Sequence, residues 1–303
     1  MTWKASLPCT RAEAEALAQD IPALAALAEP PVLMTSEPDP AQPDAWRLDA
    51  YFEESPGADD LDLLLALVPS AGGRRPDVEA VEEQDWVTLS QEGLEPIRAG
   101  RFFVYTSASR AELPAGATAF EIDAGRAFGT GHHETTTGCL LALDRLKRNG
   151  ASFNNIVDLG TGTGLLAFAA LSLWRIAHVA ASDIDPVSIE VTRENAAKNR
   201  IRVGRARGEV ELAVAPGLAH LRLRTRAPYD LIIANILAGP LIELAPSIAA
   251  ALRPGGRLIL AGLLHSQAEA VARAYRRKGL MPMSGQALGE WPTLVMRKRR
   301  STR

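Results

Sequence analysis

Val157-Asp158-Leu159-Gly160-Thr161-Gly162-Thr163-Gly164, followed by the apolar run Leu165 to Trp174, is the stretch on which the reading of this chain turns. Val157 to Leu159 has the composition of a buried strand end and Leu165 to Trp174 that of a helix, so the glycines between them form a strand-to-helix turn. Glycine at 160, 162 and 164 removes side chains at alternate positions and lets a ligand lie against the backbone. Asp158 stands two residues before the first glycine. Nineteen residues after Gly164 a second strand end carries acid, Ser182-Asp183-Ile184-Asp185-Pro186. A third, Tyr229-Asp230-Leu231-Ile232-Ile233-Ala234, ends in Asn235. In a parallel sheet built from βα units, three such strand ends open on one crevice.

Outward from this turn, residues 111–303 alternate strand and helix and predict a doubly wound α/β sheet. Strands are expected at 156–159 and 178–182, and a helix from Pro186 to Asn199. The turn Pro254-Gly255-Gly256 should deliver a strand at 257–260, before a helix at 266–278 and a last strand pair near 281–288 and 293–298. Residues 1–85 hold shorter elements. A strand at Trp3–Leu7 precedes Thr10, which with Glu13 forms a capping box for a helix Arg11–Asp20. Strands at 32–36 and 46–52, a leucine-rich helix at 58–68 and a strand at 78–82 complete a β-α-β-β-α-β order, that of a small ferredoxin-like α+β domain. Residues 86–110 read as a linker, with a hydrophobic strand Arg101–Tyr105 near its end.

The chain of 303 residues is 47% apolar and 23% charged, ordinary for a globular protein. Its net charge of -3 argues against the whole chain being a polyanion binder. Cys9 and Cys139 stand far apart in no CxxC pairing, which points to a reducing compartment and away from a disulfide scaffold or thiolate zinc site. The first ten residues lack a sustained apolar core, and no apolar run approaches the roughly 20 residues of a membrane span. The expectation is a cytoplasmic protein with no membrane partner.

The glycine turn alone leaves two ligands open. Gly162-Thr163-Gly164-Leu165-Leu166-Ala167 fits the dinucleotide fingerprint G-x-G-x-x-G/A, with Asp183 21 residues on. Asp158, however, would repel a pyrophosphate, whereas it suits the positively charged methionine end of S-adenosylmethionine, met directly or through water. Asp183 is placed to accept both ribose hydroxyls. Asp185, before Pro186, is then left to cap the next helix. The arrangement resembles the methyltransferases that use S-adenosylmethionine. Asn235-Ile236-Leu237-Ala238-Gly239-Pro240 resembles the start of the Asn-Pro-Pro-aromatic motif of amine methyltransferases. The aromatic that would stack on a planar acceptor is missing, so an aliphatic amine is the better substrate, aligned by the Asn235 carbonyl oxygen. The loop Ala127–Thr137 contains His133-Glu134-Thr135-Thr136-Thr137, which fails H-E-x-x-H at its last position and has no third ligand nearby, so no metal is assigned. A glycine-bounded loop at this point can fold over a cofactor and bring a threonine hydroxyl to its polar end. A helix start capped by Thr135 or Thr136 is compatible with that role.

Phe128-Gly-Thr-Gly-His-His-Glu-Thr-Thr136, Asp158-Leu-Gly-Thr-Gly-Thr-Gly164, Asp183-Ile-Asp-Pro186 and Asn235-Ile-Leu-Ala-Gly-Pro-Leu241 together resemble the ribosomal protein L-eleven methyltransferase family, over roughly residues 100 to 300. The resemblance implies a Rossmann-like methyltransferase sheet at 111–303 and a substrate-recognition domain at 1–85. It also implies transfer of methyl groups to lysine side chains and the N-terminal α-amine of one large-subunit ribosomal protein. Cofactor-binding roles carry over to Thr136, Gly160, Asp183 and Asn235; Asp158, Gly162 and Gly164 come from the reading of the turn, and Asn235 is also the expected catalytic residue. Many family members have Thr-His-Pro where this chain has His132-His133-Glu134. The basic tail, Arg297-Lys298-Arg299-Arg300 and Arg303, reads as a solvated terminus, with contact to ribosomal RNA as the functional alternative. Methylation of another protein lysine, an NAD-linked oxidoreductase and a cofactor-sensing module without catalysis are the competing readings.

Overall fold

A computed structural model describes residues 2–17, 31–36, 44–52, 54–81, 96–107, 109, 113–123, 133–283, 286–288 and 291–300. The chain divides into two compact units, Met1–Ser90 and Gln91–Arg303.

In the first unit, β1 (Thr2–Thr10), α1 (Arg11–Leu17), β2 (Val32–Ser36), β3 (Ala45–Phe52), α2 (Ala58–Leu67) and β4 (Asp77–Val81) follow one another. The sheet order is β2-β3-β1-β4, antiparallel throughout, which is the ferredoxin-like arrangement. Alternate residues of β1 (Ala5, Leu7, Cys9) and β3 (Leu48, Ala50, Phe52) face Leu64 and Val68 in a dry core. The expected capping box is present: the Thr10 amide donates to Glu13 Oε2 at 2.8 Å, and the Glu13 amide donates to Thr10 Oγ1 at 3.3 Å. Residues 18–20, expected to finish α1, lie outside the described residues, as do Glu82 at the end of the expected last strand and residues 83–95.

The second unit opens with a small sheet, β5 (Ile97–Ala99), β6 (Phe102–Tyr105) and β7 (Thr118–Glu121), in that order. Ala99, Phe102, Val104 and Phe120 are buried in the core of this unit, so the β5–β6 segment of the expected linker is packed as part of it. There follow α3 (His133–Arg148), β8 (Asn155–Leu159), α4 (Leu165–Leu173), β9 (His178–Asp183), α5 (Pro186–Lys198), β10 (Val210–Val214), α6 (Leu221–Arg226), β11 (Tyr229–Asn235), α7 (Ala238–Ala251), β12 (Leu252–Ala261), α8 (His265–Arg276), β13 (Leu280–Pro282), β14 (Gln286–Leu288) and β15 (Trp291–Lys298).

The large sheet has the order β10-β9-β8-β11-β12-β15-β13, with β14 on β15. Strands β10 to β12 are parallel, and β15 enters antiparallel between β12 and β13. Helices cover both faces: Ile156, Leu231, Ile233 and Ile259 meet α3 and α4, while Val157, Leu159, Ile232 and Leu258 meet α7 and α8. Burial on both faces is why β11 reads Leu-Ile-Ile-Ala without alternation. Two details depart from expectation. The Pro254-Gly255-Gly256 turn is a bulge inside β12, because Tyr229 pairs with Leu252 while Leu231 pairs with Arg257. The inserted antiparallel β15 also departs from the parallel 3-2-1-4-5-6 sheet of dinucleotide-binding domains.

Candidate functional site

The strand order reverses between β8 and β11, the topological switch point at which open α/β sheets bind ligands beyond the strands' carboxyl ends. Gly160, Asp183 and Asn235 all stand at that end of the sheet, following or ending β8, β9 and β11. The register agrees: Leu159 lies beside Ser182 and Ala234, and Asn235 beside Ala261.

The glycine turn is held by its own surroundings. The Gly160 and Thr161 amides donate to Ser182 O at 2.8 and 3.0 Å, the Gly162 amide donates to Asp183 Oδ2 at 2.9 Å, and the Gly164 amide donates to Thr161 O at 3.0 Å. Positive φ at Gly160, Gly162 and Gly164 (67°, 55° and 87°) makes this path available to glycine and strained for other residues. A side chain at Gly160 would collide with Ile236, and one at Gly164 with Phe168 and Thr192. A pyrophosphate seat depends on amide donors left free at a helix start; here four of the turn's donors are consumed internally, beside two carboxylates.

Asp183 is half-buried, and its second oxygen accepts from the Asp185 amide at 3.1 Å. A carboxylate has about four acceptor sites, so capacity remains for ribose hydroxyls. Asp185 caps α5, accepting from the Val187 and Ser188 amides, with Pro186 in the first turn. Asp158 is wholly buried. Its Oδ2 accepts from Thr161 Oγ1 at 2.7 Å, and its Oδ1 has no hydrogen-bond partner among the described residues. Burial pushes its carboxyl up to about 7; hydrogen bonds from Thr161 and the Ala167 amide act against this, and the charge of Asp183 adds to it. A buried carboxylate with one orphaned oxygen fits a cationic ligand end and disfavours an anionic one.

Across the switch point, Asn235 is partly exposed and its side chain has no hydrogen-bond partner among the described residues. The next residue, Ile236, passes between Gly160 and Gly262. A Cβ on Gly262 (φ 82°) would lie 2.6–2.9 Å from the Ile236 backbone, so glycine there permits the close approach. Thr136 is half-buried in the first turn of α3. The helix begins before it, at His133, so Thr135 and Thr136 are interior residues of that turn rather than its caps. Residues 124–132, including Ala127 to His132 of the expected loop, lie outside the described residues.

Sequence reasoning missed Thr192 and Asn195. Thr192 Oγ1 donates to Gly162 O at 2.8 Å, and Asn195 Nδ2 donates to Thr163 O at 3.1 Å, so α5 grips the turn from below. Asn195 also exchanges two hydrogen bonds with the Asp123 backbone, and Asn199 does the same with Glu121. Thr192 and Asn195 are buried, at 0% and 1% exposure. Polar residues spaced three and four apart on one helix are the signal available in sequence, but they read equally well as a solvated face.

The family model described as ribosomal protein L11 methyltransferase (PrmA) matches residues 12–299. A Brucella suis protein named ribosomal protein L11 methyltransferase is 49% identical over 204 residues, 67% of this chain and 69% of its own length. A Caulobacter protein of the same name is 42% identical over 254 residues, 84% and 83% of the two chains. The crystal structure of ribosomal protein L11 methylase from Lactobacillus delbrueckii subsp. bulgaricus superposes with a TM-score of 0.59 at 27% identity, covering 68% of this chain and all of that one.

Proposed function

This chain belongs to the ribosomal protein L11 methyltransferase family, and from that premise we propose that it methylates lysine side chains and the N-terminal α-amine of the large-subunit L11 protein in the cytoplasm. It is a protein N-methyltransferase that uses S-adenosylmethionine. One observation carries the reading of the site: the switch point has an internally hydrogen-bonded glycine turn and two carboxylates on one side, and on the other an asparagine amide that is unpaired among the described residues.

When bound, S-adenosylmethionine supplies a methyl group on a sulfonium for in-line transfer to a neutral nitrogen. In our reading Asp183 holds its ribose, Asp158 compensates its cationic end, Gly160, Gly162 and Gly164 give it room, and Thr136 reaches its polar end. Asn235 contacts the cofactor and presents its carbonyl oxygen to the acceptor amine, fixing the direction of the lone pair. Positioning of this kind supplies most of what such a displacement needs. Neutralising a lysine with pKa near 10.4 costs about 4–5 kcal/mol at neutral pH, against about 1 kcal/mol for an α-amine. We assign no protein base: Asp158 is enclosed and hydrogen-bonded by Thr161, and water takes the proton.

The first unit, Met1–Ser90, is proposed to select the protein substrate, and the chain around the unit boundary to let it present several amines in turn. Removing that unit is expected to abolish protein methylation while cofactor still binds; retained turnover would refute the role. The whole proposal is tested by mass spectrometry of purified L11 protein after incubation with the enzyme and S-adenosylmethionine. Methyl increments on its lysines or N-terminus support it. Cofactor binding without any increment would move the target to another protein lysine.

A further inference from the structure

The net charge of -3 conceals a strong asymmetry. Residues 1–90 carry 5 Lys and Arg against 18 Asp and Glu, a net of -13, whereas residues 91–303 carry 28 against 18, a net of +10. Much of the excess is gathered at one end of the large sheet. Pairing of Leu231 with Arg257, and of Arg257 with Arg297, puts both arginines at the end opposite Asp183, Gly160 and Asn235.

Arg257 and Arg297 face each other directly on neighbouring antiparallel strands, where like charges destabilise. Arg300 joins them: its Nε lies 3.5 Å from where a Cβ on Gly255 would be, and Arg257 Nη1 donates to the Gly255 carbonyl at 2.6 Å. The nearby carboxylate, Asp230, is already used. One oxygen pairs with Arg253 at 2.8 Å, and the other accepts from the Asn154 and Asn155 amides. Arg257, Arg297 and Arg300 therefore have no carboxylate partner among the described residues, and the buried Arg257 Nε has no hydrogen-bond partner either. Burial and the three neighbouring guanidiniums, of Arg297, Arg300 and Arg253, all pull the Arg257 pKa down. Beyond β11 and β8, the same sheet end carries Arg205, Arg207 and Arg224, exposed and without ion pairs among the described residues.

We infer that the N-terminal end of the parallel sheet binds an RNA backbone, with Arg257, Arg297 and Arg300 around Gly255 as a seat for one phosphodiester. The uncompensated charge asks for an oxyanion, and a covered guanidinium edge suits a phosphate that projects from a chain better than a planar layer of lipid headgroups. Strands lie about 4.8 Å apart, so the three steps from β9 to β12 span about 14 Å, enough for successive phosphates of one strand. The choice of RNA over other polyanions rests on the reading above, that the substrate is a ribosomal protein; the seat itself rests on the charges alone.

The test is fluorescence anisotropy of the full chain with a labelled single-stranded RNA of about 20 nucleotides, at salt concentrations from about 50 to 200 mM. Binding should weaken steeply with salt. Arg300→Gln, an exposed change, should lower affinity several-fold, and Arg297→Gln/Arg300→Gln by about tenfold or more, reducing the salt slope by about 0.7 per lost phosphate contact. S-adenosylmethionine affinity and methylation of free protein substrate should stay unchanged in both variants, because the residues lie at the other end of the sheet from the crevice. Absence of RNA binding at low salt, or variants that bind RNA like the parent, would overturn the inference. Preference for vesicles containing phosphatidylglycerol, or polyglutamate binding as tight as RNA, would overturn it as well. None of these readouts depends on which protein is methylated.

Discussion

The two sides of the crevice are built on opposite plans. On the β8–β9 side, four turn amides are bonded, two to Ser182 O, one to Asp183 and one to Thr161 O, and Thr192 and Asn195 grip the carbonyls of Gly162 and Thr163. On the β11–β12 side the Asn235 amide is unpaired among the described residues, and its position is fixed by how closely Ile236 passes Gly262. A network so densely hydrogen-bonded is rigid and specifies one shape, which suits a ligand that is the same in every turnover. An unpaired amide on a sterically fixed strand end suits an acceptor that arrives, changes and leaves. The contrast teaches that binding and turnover should be separable by mutation, one side at a time.

The largest effect is expected on the β11–β12 side. Gly262→Ala forces a Cβ to within 2.6–2.9 Å of the Ile236 backbone at a φ of 82° that disfavours any other residue. The turn must move, and Asn235 with it. A displacement of about 1 Å at a positioning group can cost about 100-fold in turnover. Both Gly262→Ala and Asn235→Ala should lose turnover on that scale, with cofactor affinity in calorimetry changed by only a few-fold. Equal losses in affinity and turnover would erase the distinction between the two sides. Turnover of parent and variants should rise with pH above neutrality, since water takes the proton; a flat profile with rate-limiting chemistry would call for a base on the protein.

Next comes the other side. Asp183→Ala removes charged hydrogen bonds to the ribose and also the acceptor of the Gly162 amide. Cofactor binding should weaken by roughly 1.5–3 kcal/mol, about 10- to 150-fold, while turnover at saturating cofactor is spared. Unchanged affinity would withdraw Asp183 from the ribose.

Asp158 makes the same side sensitive to pH. Its carboxyl is raised by burial from the usual carboxylate value to about 7. Between about pH 4 and 7 the folded protein therefore holds a proton that the unfolded chain has released, so this group's contribution to stability falls as pH rises through that window and is level above it. A cationic ligand end near the carboxylate favours the ionised form, so affinity for S-adenosylmethionine should tighten by up to about tenfold per unit as pH rises toward 7. Asp158→Asn should flatten both trends. A pH-independent affinity in the parent would separate Asp158 from the cationic end.

How much of this was legible depends on the range of the interaction. Local signals read true: the Thr10–Glu13 capping box, Asp185 before Pro186, and strand ends at Gly160, Asp183 and Asn235 follow from neighbours a few residues apart. The antiparallel entry of β15 was not legible, because a strand's direction and neighbour are decided by the whole sheet. The strand Arg101–Tyr105 read as hydrophobic but was placed in a linker, because nothing local shows which core an isolated apolar strand joins; Ala99 and Phe102 are buried at 0% and 2% exposure. The α3 start was misplaced because hydroxyls signal a cap, while the helix already begins at His133. The basic run Arg297–Arg300 was legible, but its meeting with Arg257 was not, because that depends on β15 pairing with β12.

The smallest expected effect tests the rigidity of the satisfied side directly. Thr192→Val keeps the shape of a buried side chain but removes its hydroxyl, leaving the Gly162 carbonyl without that donor. An intramolecular hydrogen bond of this kind contributes about 1 kcal/mol, so cofactor affinity should fall by about fivefold. Thr192→Ser restores the donor and, despite the lost methyl, should recover most of that affinity. If turnover at saturating cofactor stays at the parent level in both, the turn acts through binding alone. A loss of turnover in Thr192→Val that serine rescues would mean that the glycine turn also sets the position of the acceptor side, through Ile236 against Gly160. In that event the two plans are one mechanism, and the division drawn from the hydrogen bonds must give way to one drawn from packing.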